Sequence, residues 1–451
     1  MDLYDLTACE ILKLFKEEEC SVHDYSVEIN NRIISVDQIV CAWEYYNSEQ
    51  FLEHALDLSK KISRKELLSN KIPGLPIGVK DIFNTKNMPT SMGSKIWKGF
   101  TPGNNARVVD SIIENKGLIT GKTVTAEFAV HEPGKTKNPY SSSRLPGTSS
   151  SGSAVAVATG MVPIALGTQT AGSTTRPASY CGVYGFKPSF GIIPRTGVLK
   201  TLDTLDHVTI LARSVNDCRL LTDTLRVSGR NHPFVHQLVD KSKNLNLFKP
   251  IKVAFVKTVS WKNLEKYSEI MLTRLAKQIQ SLDGVEVHEV ELPDNLNDIH
   301  EKHDIVYNKA LSYYFKEEYL NHYAELSDSF KSLYEKGVEI DLQTYNKALK
   351  HQVNSQDSID NFFDNFDIVL SMSTTGEAPN IGDKELPDAA LIWTYLHVPS
   401  ICVPISLGPN KLPVSAQFAS KKYNDYILLD FIEMLKTKDI INDTKVINPK
   451  K

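Results

Sequence analysis

The stretch Pro146-Gly147-Thr148-Ser149-Ser150-Ser151-Gly152-Ser153 runs into an apolar segment, residues 154–166. That segment ends in a second polar loop, Gly167-Thr168-Gln169-Thr170-Ala171-Gly172-Ser173. Gly and small polar residues let both loops turn sharply and approach a ligand closely. The apolar run between them suits a buried element, so one scaffold can present Ser149 and Ser173 to the same small volume. Upstream, Lys80 sits in similar company, in Gly74-Leu75-Pro76-Ile77-Gly78-Val79-Lys80-Asp81.

These three residues carry a definite chemistry. A serine hydroxyl is a poor nucleophile until a neighbour takes its proton. It also needs donors aimed at the oxygen that becomes negative in the tetrahedral intermediate. The segment Thr170-Ala171-Gly172-Ser173 supplies consecutive amides with little side-chain bulk. One well-placed donor of that kind contributes about 3 kcal/mol. Lys80 is a base only when neutral, which requires desolvation, and Ile77, Val79 and Ile82 beside it fit burial. Ser149 then bridges the two, a Ser–Ser–Lys relay doing the work of a Ser-His-Asp triad. Two other readings stand beside this one. A Gly/Ser loop before an apolar helix is also a phosphate cradle, as in GHMP-type small-molecule kinases. Lys80 beside Asp81 also reads as a surface pair.

Around this centre the chain reads as α/β. Thr7-Ala8-Cys9-Glu10 is a capping box opening a first helix. Ser21-Val22-His23-Asp24 opens a second, through about Ile34, and a third is expected from Ser48 to about Ser63. Short apolar runs at 77–79, 117–120, 162–166 and 183–186 alternate with loops, and 108–113 reads as helical, the texture of an α/β sheet. Residues 244–250 resemble a linker before a strand at 251–256. A helical excursion is expected over about 264–363. A return to sheet follows over 367–435, with strands near 367–371, 400–407 and 414–418 and a closing helix at 426–435. The simplest organisation is a single domain over 1–451.

Composition narrows the function classes. The chain of 451 residues is 41% apolar and 23% charged, as expected of a soluble globular protein with a large core. Its net charge of -3, with scattered Lys and Arg, gives no reason to expect nucleic acid or an anionic membrane as partner. The six cysteines form no CxxC pair, which suits a reducing, cytoplasmic setting. The acidic start lacks the pattern of a signal peptide, and the longest apolar run is too short to span a bilayer.

The segment from Gly147 to Ala154, continued by Gly182-Val183-Tyr184-Gly185-Phe186-Lys187-Pro188-Ser189, closely resembles the signature region of the amidase signature family. Gly191-Ile192-Ile193-Pro194-Arg195 and the Lys80 segment extend the likeness, which is strong over about 73–217 and moderate over 393–417. The middle helical stretch matches no motif of that family. The resemblance implies an α/β/α fold with a large mixed sheet surrounded by helices, and hydrolysis of a carbon–nitrogen bond through an acyl-enzyme. Matched position by position, Ser173 is the nucleophile, Ser149 the bridging serine after a cis Thr148–Ser149 peptide, and Lys80 the base. The oxyanion amides are those of Thr170, Ala171, Gly172 and Ser173. No metal or organic cofactor is expected, and family habit points to a homodimer. Ala171 departs from the family's usual Gly, and a β-carbon would obstruct the loop if that residue needed a positive φ.

Gln169 with Ser173-Thr174-Thr175-Arg176-Pro177 resembles members that act on small carboxylated amides, where Arg176 clamps the carboxylate. A guanidinium fork suits that task, and an arginine strut against an internal acid suits the pattern equally. The other readings within this chemistry are the glutaminase (A) subunit of a tRNA-dependent amidotransferase and a carboxybiuret- or allophanate-type hydrolase. A degenerate partner subunit is disfavoured, because all three triad positions are filled. His300 and His303, at i and i+3 on an expected helix, read as a solvated face. His131 and His207 read as core or pocket residues, as do Trp393 and Tyr395.

Overall fold

The computed structural model describes residues 2–227, 233–243 and 250–449. Eleven strands form one mixed sheet in the order β1-β3-β2-β4-β6-β5-β10-β11-β9-β7-β8. They are β1 (Trp43–Tyr46), β2 (Pro76–Lys80), β3 (Leu118–Thr123), β4 (Ile164–Gln169), β5 (Tyr184–Lys187), β6 (His207–Ala212), β7 (Ile251–Val256), β8 (Val285–Val290), β9 (Ile368–Met372), β10 (Ser400–Leu407) and β11 (Pro413–Ser420). Strand β2 runs parallel to β3 and β4, and β7 runs parallel to β8 and β9. The strands between these two parallel ends pair antiparallel. Helices surround the sheet, and the fold is α/β.

Parallel neighbours end at the same edge of a sheet, and this places the chemistry. Val79 pairs with Leu166, so Lys80 at the end of β2 lies beside the last residues of β4, Thr168 and Gln169. The helix Ser151–Ala158 follows the first serine loop and is buried on every side. An apolar all-round composition such as Ala154 to Ala158 dictates that position. Gly152 has no room for a side chain, since a β-carbon would stand 2.4 Å from the Ala42 oxygen and from the Val124 nitrogen.

The amino-terminal helices follow the local code. Thr7 and Glu10 form the reciprocal capping box, and the Ser21 hydroxyl accepts from the Asp24 amide. The second helix runs further than expected, over Val22–Val40, and the third covers Ser48–Lys61 with Phe51 and Ala55 inward. Strands β1 and β6 are additions to the sequence reading. So is β8, which corrects the expected helical excursion: that region holds an edge strand between the helices Lys266–Gln280 and Ile299–Tyr314. It exposes Glu286, His288 and Glu289, the polar residues that suit an edge strand. The expected linker at 244–250 lies, apart from Pro250, outside the described residues. Among the described residues no helix is long and apolar enough to cross a membrane.

The helical excursion packs against the segment Thr125-Ala126-Glu127-Phe128. Phe128, which follows the buried segment Thr125-Ala126-Glu127, lies 4.8 Å from the ring of Phe315 and 5.3 Å from that of Phe330. Glu127 accepts hydrogen bonds from the amide and the hydroxyl of Ser327.

Candidate active site

Lys80 is wholly buried, and its Nζ stands 2.7 Å from Ser149 Oγ, 3.1 Å from Ser150 Oγ and 2.8 Å from Thr168 Oγ1. Among the described residues no carboxylate pairs with it. Burial pushes its pKa well below the 10.5 of an ordinary lysine, against a weaker pull from Asp206. The hydrogens can be counted. Ser150 Oγ donates to the Thr168 carbonyl at 3.2 Å, so toward Lys80 it acts as acceptor. A neutral amine has two hydrogens and one lone pair. In the neutral form, hydrogens placed on Ser150 and Thr168 would leave the lone pair for the Ser149 hydroxyl.

The Thr148–Ser149 peptide is cis, and the Ala126 amide donates to the Ser149 carbonyl at 3.3 Å. Gly147 has φ +84, and a β-carbon there would lie 2.6 Å from the Pro177 nitrogen, so only glycine fits. The Ser150 amide donates to the Ser173 carbonyl at 3.1 Å and draws the two serine loops together. Ser149 is buried, whereas Ser173 is partly open to solvent. Among the described residues the Ser173 hydroxyl makes no hydrogen bond, to Ser149 or to any other group.

The loop 170–173 turns its carbonyls outward onto partners. The Thr170 oxygen accepts from His303 Nε2 at 3.0 Å, the Ala171 oxygen from Thr394 Oγ1 at 2.7 Å, and the Gly172 oxygen from the Arg176 amide at 2.9 Å. The amides of Thr170, Ala171, Gly172 and Ser173 have no acceptor among the described residues. Ala171 is not among the residues with positive φ, so its β-carbon does not strain the loop. Gln169 organises the far side. Its Oε1 accepts from the amides of Thr174 and Thr175, both at 2.9 Å, and its Nε2 donates to Thr394 Oγ1 at 2.9 Å. Thr394 spends its own hydrogen on Ala171, so it needs a donor in return, which a carboxylate at position 169 would not supply.

Arg176 sits against two internal acids, the strut arrangement. Its Nε donates to Asp388 Oδ2 at 2.7 Å, and Nη1 is 3.9 Å from Glu385 Oε2. Neither Nη nitrogen makes a hydrogen bond to a described residue. Burial pushes the Glu385 carboxyl up, with Arg176 opposing. The guanidinium is therefore braced by Asp388 at Nε and paired more loosely with Glu385 at Nη1.

His300 and His303 correct the expectation of a solvated face. His303 is buried and holds Thr170, and His300 Nε2 lies 3.1 Å from the Asp388 carbonyl, to which it donates. Trp393 and Tyr395 are core residues, with no exposed surface; Tyr395 donates to the Ala348 carbonyl at 3.1 Å. His207 is buried, with Nδ1 2.5 Å from the Leu205 carbonyl, and it lines a cavity of about 350 Å³ that reaches Thr168, Thr170 and Asp206. His131 is solvent-accessible, its ring 6.3 Å from that of Tyr307. Among the described residues no group of three or more His, Cys, Asp or Glu is arranged to hold a metal ion.

The family model described as Amidase matches residues 28–429. One A subunit of the glutamyl-tRNA(Gln) amidotransferase of Clostridium acetobutylicum is 41% identical over 231 residues, spanning 50% of this chain and 47% of that relative. Its counterpart in the glutamyl-tRNA(Gln) amidotransferase of Clostridium botulinum strain Okra is 29% identical over 475 residues, 95% of this chain and 96% of the relative. A solved amidase crystal structure superposes with a TM-score of 0.86 at 26% identity, covering 96% of this chain and all of that one.

Proposed function

The chain belongs to the amidase family and hydrolyses a carbon–nitrogen amide bond, and we propose that it does so through Ser173, Ser149 and Lys80 by way of an acyl-enzyme. The observation that carries this reading is the buried Lys80 amine, without a counter-ion and 2.7 Å from Ser149 Oγ. In the proposed cycle Ser173 Oγ attacks the amide carbon. Its proton passes to Ser149 Oγ while the Ser149 proton passes to Lys80 Nζ. The relay needs the Ser173 hydroxyl to turn toward Ser149, a rotation about one χ1 bond. The carbonyl oxygen becomes an oxyanion that meets the unpaired amides of residues 170–173. The proton returns along the same path to the leaving nitrogen as the C–N bond breaks. Water then repeats the sequence on the ester, restoring Ser173 and releasing the acid.

The substrate we favour is a small amide whose acyl part ends in a carboxylate, received by the Nη nitrogens of Arg176, which make no hydrogen bond to a described residue and have Glu385 at 3.9 Å. A carboxylate there makes two parallel hydrogen bonds while Asp388 keeps the guanidinium in plane. Arg176→Met paired with Asp388→Asn and Glu385→Gln, which removes both acids that face the guanidinium, is expected to impair malonamate far more than a neutral aliphatic amide. Equal loss on both rejects the clamp. The full-length likeness to amidotransferase A subunits supports a second reading, glutamine hydrolysis within a larger complex. Ammonia release by the purified chain from malonamate but not glutamine supports the first reading, and glutamine turnover that requires partner subunits supports the second. A cytoplasmic homodimer is the expected form, and sedimentation of the purified chain reads its mass.

A further inference from the structure

We propose that His303, on the helix Ile299–Tyr314, is a positioning residue that aims the Ala171 amide at the substrate oxygen by holding the Thr170 carbonyl. The inference rests on the reading of residues 170–173 as the oxyanion donors and goes beyond it, since His303 lies in the helical stretch that carries no family motif.

A trans peptide is planar, so the N–H of Ala171 points opposite to the C=O of Thr170. A hydrogen bond that fixes the carbonyl outward therefore fixes the amide inward. The same relation joins the Ala171 carbonyl, held by Thr394, to the Gly172 amide, and the Gly172 carbonyl, held by the Arg176 amide, to the Ser173 amide. Three of the four donors, the amides of Ala171, Gly172 and Ser173, are thus set by a hydrogen bond on the preceding oxygen. His303 is the contribution of the excursion to this set.

The surroundings of the histidine favour that contact. A carbonyl only accepts, so Nε2 carries the hydrogen, at 3.0 Å from the Thr170 oxygen. The other ring nitrogen, Nδ1, is buried and makes no hydrogen bond among the described residues, with the Asp304 carboxylate 3.8 Å away. Tyr307, one turn along the helix, stacks on the ring at 5.5 Å and 26°, which holds its plane. Thr170 is secured at its other end, where Oγ1 donates to Asp206 at 2.7 Å. Without His303 the peptide between Thr170 and Ala171 has no outer anchor, and its rotation carries the donor away from the reacting oxygen.

The test compares His303→Ala, His303→Gln and His303→Asn in the full chain. Glutamine places an N–H at the same number of bonds from the backbone as histidine Nε2, and asparagine stops one bond short. His303→Ala is expected to lower kcat about 10- to 100-fold with KM within about twofold, the mark of a transition-state contact. A boronic acid that forms a tetrahedral adduct on serine should lose affinity by a similar factor. His303→Gln is expected to restore most of the rate and His303→Asn little. Unchanged kcat in His303→Ala, or equal behaviour of Gln and Asn, overturns the proposal. If the alanine variant does not fold, the Gln–Asn pair decides alone. Ser173→Ala separates the two levels: its inactivity beside a fully active His303→Ala sinks only the positioning role, and an active Ser173→Ala sinks the relay itself.

Discussion

Lys80 and Lys122 lie on neighbouring parallel strands, one register step apart, and neither exposes any of its surface. Their surroundings differ in one respect. Lys122 Nζ has the Asp81 carboxylate at 3.0 Å, with the Phe83 and Pro89 carbonyls and the Thr90 hydroxyl completing its shell. Lys80 meets hydroxyls alone. Burial lowers the pKa of both, but at Lys122 the charge of Asp81 works against it, whereas at Lys80 the opposing carboxylate, Asp206, is not in contact. Depth alone therefore does not make a lysine a base. In the proposed relay the missing counter-ion does, and the Ser149 hydroxyl beside the amine turns that base toward chemistry.

The comparison breaks or sharpens under substitution. The largest expected effect is that of Lys80→Met, which should lower kcat by about 10⁴-fold. The same change should not lower the melting temperature at pH 7, because it removes an amine the fold holds below its natural protonation. The sign follows from linkage. The unfolded chain binds one more proton than the folded one between the lowered pKa of Lys80 and 10.5, so this group adds stability as pH rises through that window. Lys80→Met should flatten that part of the stability-pH curve, measured by chemical denaturation across the alkaline range.

Lys122→Met should behave in the opposite way. It leaves Asp81 buried without its ion-pair partner, at a cost of about 3–5 kcal/mol read by denaturant titration. The fraction that folds should keep near-normal kcat. Adding Asp81→Asn should recover much of the stability, and no recovery would show that the pair is not the reason for the loss.

The smallest effect is expected at Thr168→Val, which removes one acceptor from the Lys80 amine. Steady-state kinetics should give a fall in kcat of about tenfold, in line with the loss of one supporting hydrogen bond. A change as large as that of Lys80→Met would put Thr168 in the relay in place of Ser149.

How much of this is legible in the sequence follows from how local each signal is. The capping boxes and the apolar runs of β2, β4, β5 and β7 declare themselves in a few adjacent residues. Strand β6 escapes a sequence reading because His207 and Thr209 interrupt its apolar character, although every residue in it is buried. Strand β8 is hidden beside long helical patterns, and its period-two alternation holds only over Val285-Glu286-Val287-His288 before Glu289 breaks it. At the site, Lys80, Ser149 and Ser173 sit in short glycine-rich motifs and are readable. Asp388, Thr394 and His303 reach the centre from distant segments, and no local rule foretells such contacts. His303 does leave a trace. It shares the buried helix stripe of Ile299, Val306, Tyr307 and Ala310, which contradicts a solvated face.

The most direct test is a titration of lysine 13Cε resonances in the intact protein, with Lys80 and Lys122 assigned from the spectra of their methionine variants. The account predicts that at pH 7.5 Lys80 shows the shift of a neutral amine while Lys122 shows that of an ammonium ion. A Lys80 resonance that stays ammonium up to about pH 10, the range of an ordinary lysine, would contradict it.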